Sequence, residues 1–126
     1  MIRQAGLAVA KRAYAHLREA GSRTRLCVAA LRGAYHLTEL AGGDLVMSIH
    51  PKYQEPFSRS GLSTEERIGH PVDPAVIDRL RAIPEFRRAY EPDGMRREEF
   101  IGYGATQRML SQFCETGWNP LGHLAV

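Results

Sequence analysis

Arg32 is the residue whose type and setting point most directly to chemistry. It follows the apolar run Leu26–Leu31 and precedes Gly33, so it stands where a buried strand ends and the chain turns. A guanidinium is always charged, and its planar fork of donors matches the oxygens of a phosphate monoester. Gly33 would let the backbone approach an anion closely, or would only ease the turn. Arg32 and Gly33 are therefore candidate phosphate-binding residues. The alternative is an Arg32 that is exposed or paired with Glu39 or Asp44.

Ser48 and His50 lie at the end of a second apolar run, and alternation along a strand puts them on one face. His50 could donate to a phosphate or act as a general base, although a histidine before proline more often has a structural role. Ala30, Ser48 and His50 are candidate pocket-lining residues. Lys52 follows in a polar, proline-flanked loop. A Schiff-base lysine needs a dry pocket, so we interpret Lys52 as solvated and expect no catalytic residue in the chain.

The elements that must position these residues follow an α/β rhythm. Apolar residues at helical spacing predict a helix from about Ala5 to Ala20, ended by Gly21, and a short helix over about 34–41. The unbroken runs 26–31 and 45–49 are typical of strands in a parallel sheet that is covered on both faces. Helix, strand, helix, strand predicts an α/β fold with a parallel sheet.

Beyond Pro51 the pattern changes to a helical block. Residues 52–72 are predicted to be a loop with at most one helical turn. Asp73 and Pro74 begin a helix, and a second short helix follows Pro84. Residues 97–116 are helical, either unbroken or with a break at Gly102 or Gly104, and an irregular tail follows from Gly117. The residues of the last helical stretch expected to face the core are Phe100, Met109, Leu110 and Phe113.

Two parallel strands cannot hide their own edges, and an isolated pair is not stable in water. The chain is therefore predicted to be the last portion of a larger α/β sheet or barrel. Residues 1–51 would form its final helix and strand units, and residues 52–126 a helical extension of the same domain.

Composition narrows the classes of function. The chain has 126 residues, 44% of them hydrophobic, and a net charge of +3. Its basic excess lies in residues 1–43, which indicates either an anionic ligand or a solvated helix face. Cys27 and Cys114 are expected to be buried reduced thiols, and no spacing of cysteines or histidines predicts a metal site. No apolar stretch approaches a membrane span, no signal peptide is evident, and no recognition helix indicates nucleic acid.

The stretch RLCVAALRGAYHLTELAGGDLVMSIHP (25–51) resembles the region of transaldolases that runs through the last two barrel strands. Residues 5–24 are similar to the helix that precedes these strands in the family. The stretch PVDPAVIDRLRAIPEFRRAYEPDGMRREEF, together with GATQRMLSQF, resembles the C-terminal extension of some members. Arg32 matches the family's phosphate-binding arginine. Three neighbours depart from the pattern: Ala30 stands where many members have Ser, Leu31 where they have Phe, and Gly33 where they have Asn.

This resemblance implies an α/β protein that is the C-terminal fragment of a (β/α)8 TIM barrel. The family transfers a dihydroxyacetone unit between sugar phosphates of the pentose phosphate pathway, in the cytoplasm, through a lysine Schiff base and without a cofactor. Its lysine and acid/base carboxylates lie on earlier strands, and neither Lys11 nor Lys52 matches the lysine's setting. The chain alone is expected to be inactive.

The expected partners are a sugar phosphate and either the missing N-terminal barrel portion or a second copy of the chain; no membrane or nucleic acid is expected. One hypothesis is a truncated or split transaldolase. A second is a non-catalytic module that binds a sugar phosphate or a protein through the retained Arg32. A third, ranked last, is a small nucleic-acid binder that uses its basic first helix.

Overall fold

Two short parallel strands, β1 (Leu26–Val28) and β2 (Leu45–Met47), form the sheet in a computed structural model that describes residues 1–122. Leu26 pairs with Leu45, and the N–H of Ser48 extends the ladder by donating to the carbonyl of Val28 at 2.8 Å. An α/β fold with two parallel strands is therefore confirmed. An open sheet and a barrel both contain such a pair, so the barrel stays a prediction.

Helices make up most of the remaining described structure. The α-helices are α1 (Ala5–Glu19), α2 (Ala34–Leu40), α3 (Pro51–Arg59), α4 (Pro74–Arg81), α5 (Pro84–Tyr90), α6 (Gly104–Phe113) and α7 (Asn119–Gly122). Two 3-10 segments cover Ile2–Gln4 and Arg97–Gly102, and a π-helical segment covers Cys114–Trp118. α1, α2, α4 and α5 were expected from the sequence, with bounds within a residue or two.

The core consists of two apolar clusters that share α1. The first packs α1 and α2 against one face of the sheet; its buried residues are Leu7, Leu31, Leu40, Leu45 and Ile68. The second packs α1 against α4 and α5; its buried residues are Ala8, Ile77, Leu80 and Phe86. Asp73 begins α4 as expected, because its Oδ1 accepts from the N–H of Ala75 at 2.8 Å.

A buried ammonium ties the segment after α3 to the helices. Lys11 is only 7% exposed, and its Nζ donates to Glu39 Oε2 at 2.9 Å, to the Arg67 carbonyl at 2.9 Å and to the His70 carbonyl at 2.7 Å. Arg67 Nε donates to the other oxygen of Glu39 at 2.9 Å. All three donors of the ammonium are thus used, which is what a buried charge requires.

The loop predicted for residues 52–72 was wrong over its first part, because α3 runs for nine residues from Pro51. Pro51 occupies the first turn, where no N–H is needed, and the helix continues through Pro56 although Pro56 has no N–H to donate. Two pairs at i, i+4 spacing support the helix. Tyr53 stacks on Phe57 with ring centroids 5.5 Å apart, and Arg59 reaches Glu55 at 2.7 Å.

The face of the sheet that points away from α1 and α2 is open within residues 1–122. Cys27 and Val46, the central residues of the two strands, are both exposed, Val46 by 45%. The prediction that both thiols are buried was therefore wrong. Cys27 lies on this open face, and Cys114 is exposed at the start of the π-helical segment.

Residues 97–122 form a helical arm, none of whose helical segments contains a buried residue. The arm contacts α5 through Tyr103, whose hydroxyl donates to the Glu85 carbonyl at 3.1 Å. The prediction that its apolar residues face the core was wrong. The exposed fractions are 49% for Phe100, 52% for Met109, 52% for Leu110 and 61% for Phe113. The tail predicted to be irregular is helical from Gly117 to Gly122, and residues 123–126 lie outside the described part.

Candidate phosphate-binding cleft

A cleft of about 510 Å³ opens at the carboxyl ends of β1 and β2. Its lining residues are Ala30, Leu31, Arg32, Ser48, Ile49, His50, Pro51, Lys52 and Tyr53. The segments that follow two neighbouring parallel strands leave the sheet at the same edge, which explains why residues 18 positions apart in sequence line one cavity. The structure thus brings together Arg32, Ser48, His50 and Ala30. Lys52 is exposed, as the sequence predicted, and it also lines this cleft.

Ala30 takes the left-handed backbone conformation, with φ +57°, in the segment that joins β1 to Arg32. A residue with a Cβ adopts this conformation at a cost of about 1–2 kcal/mol. The turn that results directs Leu31 into the core, where it is 3% exposed, and leaves Arg32 on the surface. Backbone strain therefore lies two residues before Arg32. Strained residues cluster at functional sites.

His36 fixes the backbone of this turn, a role that nothing in the sequence had signalled. Its Nδ1 accepts a hydrogen bond at 3.3 Å from the N–H of Arg32. Burial lowers the pKa of His36, opposed by a weaker hydrogen bond with the backbone of Gly33. The imidazole is therefore neutral at pH 7, as an accepting Nδ1 requires.

Gly33 serves packing in this structure. A Cβ at this position would lie 2.9 Å from Cε1 of Tyr35, so the absent side chain makes room for that ring. Tyr35 in turn contacts the 3-10 segment before α1, because its hydroxyl donates to the carbonyl of Arg3 at 2.9 Å. Gly33 does not line the cleft, and its contact with phosphate stays a prediction.

His50 begins α3 and fixes the mouth of the cleft. Its Nδ1 accepts from the N–H of Lys52 at 3.2 Å, which leaves Nε2–H as the ring's donor to a ligand. As the alternation predicted, Met47 and Ile49 pack against the core while Ser48 and His50 are exposed. Lys52 Nζ lies 4.8 Å from the ring centre of Tyr53, which holds the ammonium near the cleft by a cation–π contact.

The charge of the cleft is positive. Arg32 and Lys52 line it, and no acidic residue does. Neither of the anions considered as partners for Arg32 is close: Glu39 pairs with Lys11 and Arg67, and Asp44 pairs with Arg25 at 3.0 Å. Within residues 1–122 the Arg32 guanidinium enters no ion pair, so its donors are available to a ligand.

The described side chains offer little support for Schiff-base or metal chemistry in the cleft. A Schiff-base lysine needs an amine that can lose its proton, yet the ammonium of Lys11 is buried with three acceptors and Lys52 is exposed. Residues 1–122 contain no group of three or more His, Cys, Asp or Glu side chains placed to hold a metal ion. In the same part of the chain, no helix combines the length and apolar character needed to cross a bilayer.

Comparison with known proteins found no match to any family model, curated protein or solved structure. The transaldolase resemblance therefore depends on the residues quoted above, and a function for the cleft must be argued from its geometry and charge.

Proposed function

We propose that the cleft binds the phosphate group of a sugar phosphate, within the closing part of a cytoplasmic transaldolase-type barrel. The observation that carries the proposal is the convergence of Arg32, His50 and Lys52 on one cavity without acidic residues, at the carboxyl ends of two parallel strands. In α/β barrels this edge carries the active site, and the loops after the last strands frequently bind phosphate.

Each polar group has a separate part in binding. Arg32 offers two parallel donors to two phosphate oxygens, which fixes the orientation of the ligand. His50 Nε2–H can donate to a third oxygen, and Lys52 adds a mobile positive charge. The first turn of α3 begins at the same place, and the positive end of its dipole favours an anion there.

The transfer of the dihydroxyacetone unit requires a lysine from polypeptide outside this sequence, because Lys11 and Lys52 do not fit that role. The open face of the sheet at Cys27 and Val46 supports a place within a larger sheet, since strands in a complete α/β fold are covered on both sides. A binding module without catalysis would use the same cleft and the same Arg32.

Titration calorimetry with a ketose phosphate tests the binding step, with the same ketose lacking phosphate as the ligand control. We expect a dissociation constant on the order of 1 mM. The variant Arg32→Ala should weaken it at least tenfold, because hydrogen bonds to a charged group contribute about 1.5–3 kcal/mol. Arg23→Ala, the matched control, removes an exposed arginine at the amino end of the strands and should leave binding unchanged.

Three outcomes would contradict the proposal. They are an absence of heat at millimolar ligand, equal losses in the Arg32 and Arg23 variants, and equal affinity for the ketose without phosphate. Borohydride reduction in the presence of the ketose phosphate then tests whether a lysine of this chain forms a Schiff base. We expect no covalent adduct on this chain, since a trapped adduct on Lys52 would mean that the attacking amine is present here.

A further inference from the structure

The arm carries an apolar surface larger than a folded monomer usually exposes. Its exposed apolar side chains are Phe100, Ile101, Met109, Leu110, Phe113, Trp118 and Leu121, with exposed fractions from 49% to 72%. At about 100 Å² of exposed area each, they present roughly 700 Å². The largest apolar patch of a typical monomer is about 300–600 Å², whereas a stable complex buries about 800 Å² on each partner.

The pattern of these residues is that of a helix that packs along another helix. Thr106, Met109, Leu110 and Phe113 recur at spacings of three and four, which places them in one stripe of α6. In a continuous α-helix the next large residues, Trp118 and Leu121, would rotate away from this stripe.

The π-helical segment Cys114–Trp118 restores the alignment. Its widened turn is visible in the bond from the Asn119 N–H to the Cys114 carbonyl, five residues back. A π turn accommodates one extra residue, so residues beyond it turn back by about 100° relative to an α-helix. That rotation returns Trp118 and Leu121 to the side of Leu110 and Phe113, and the stripe then runs from Thr106 to Leu121.

The opposite face of α6 is polar and almost neutral, which argues against a membrane as the occupant. Its residues include Gln107, Ser111 and Gln112, with one cation, Arg108, and the anion Glu115 one turn further on. A helix that lies on an anionic bilayer has a polar face rich in lysine and arginine.

We propose that the arm binds the arm of a second copy of this chain as an antiparallel helix pair. The two-fold axis crosses the apolar stripe at the level of residues 111 and 112 along the helix. In this register Leu110 of one copy lies beside Phe113 of the other. The bulky Trp118 then lies level with the small Ala105. A parallel pair would instead set Trp118 against Trp118. Such self-complementary two-fold interfaces are the commonest arrangement in homo-oligomers.

Sedimentation velocity of the full chain over a concentration series tests this interface, which does not depend on the function of the cleft. We expect a dimer with a dissociation constant on the order of 1 μM. The double variant Leu110→Glu with Phe113→Glu places two charges in the stripe and should be a monomer. Its matched control, Gln107→Glu with Gln112→Glu, adds the same charges on the polar face and should stay a dimer.

Trp118, the chain's only tryptophan, gives a readout that needs no variant. It is 72% exposed in the single chain, so its emission should shift to shorter wavelength as dimers form. A wild-type chain that stays monomeric at about 100 times the expected dissociation constant would overturn the proposal. So would a stripe variant that remains dimeric, a control variant that dissociates, emission that is independent of concentration, or a monomer that binds phosphatidylglycerol vesicles.

Discussion

Replacing Glu39 by glutamine should destabilise the fold by about 2 kcal/mol at pH 7, because the buried Lys11 loses its counter-charge. Glu39 accepts from Lys11 Nζ and from Arg67 Nε, each at 2.9 Å. A hydrogen bond between charged groups contributes about 1.5–3 kcal/mol and a neutral one about 0.5–1.5 kcal/mol. Arg67 is 35% exposed, so most of the loss comes from Lys11, which is 7% exposed.

The same change should remove part of the pH dependence of stability. Burial raises the pKa of Glu39, but the hydrogen bonds from Lys11 and Arg67 outweigh burial and hold the pKa below its ordinary value of 4.5. As pH falls below 4.5, the unfolded chain protonates this carboxyl before the folded chain does. The stabilisation is therefore fully present above pH 4.5 and is lost as pH falls through the lower folded pKa.

Urea unfolding followed by circular dichroism, repeated from pH 7 to pH 3, measures both effects. The difference between wild type and Glu39→Gln should be about 2 kcal/mol at pH 7, or roughly 8 °C in Tm, and should shrink steadily below pH 4.5. Glu65→Gln is the control, because Glu65 is exposed and enters no ion pair within residues 1–122. A difference that is the same at pH 7 and pH 3 would refute the electrostatic explanation.

Two further stability predictions use the same urea assay. Leu80→Ala should cost about 2–5 kcal/mol, because Leu80 is 0% exposed in the second cluster, and a loss under about 1 kcal/mol would show that this cluster is loosely packed. Gly94→Ala should lower the free energy of unfolding by about 1–3 kcal/mol, because a Cβ there would overlap the carbonyl of Arg88. Gly6→Ala, which adds a methyl group in open space on α1, should raise the free energy of unfolding by about 0.5–1 kcal/mol. Equal effects of the two glycine changes would mean that the close approach to Arg88 is not retained.

The sheet and the cleft could be anticipated because they depend on local patterns. Continuous apolar runs at 26–31 and 45–49 predicted two strands, and parallel strands must bring their carboxyl ends to one edge. That geometry places Arg32 and His50 in one cavity without any knowledge of the core. Lys52 is exposed, as the sequence predicted, but its place beside the cleft was not foreseen because α3 was not recognised.

Whether an apolar residue is covered could not be anticipated. The spacing of Met109, Leu110 and Phe113 predicted a helix stripe correctly, but a stripe does not specify what packs on it. Cys27 shows the same limit, since a strand with apolar residues on both faces was expected to be covered on both. Long-range packing decides exposure, and the local sequence encodes only the tendency to be buried.

The free edges of the strand pair carry a risk of aggregation. Within residues 1–122 no further strand pairs with the outer edges of β1 and β2, and such edges are templates for pairing with other chains. The exposed Val46 adds an apolar side chain to β2. Charged side chains stand at both ends of the pair: Arg25 and Asp44 at the amino end, and Arg32 at the carboxyl end. Charges that flank an apolar strand act as gatekeepers against such pairing. The guanidinium of Arg32 would then also keep the chain dispersed until its sheet is covered.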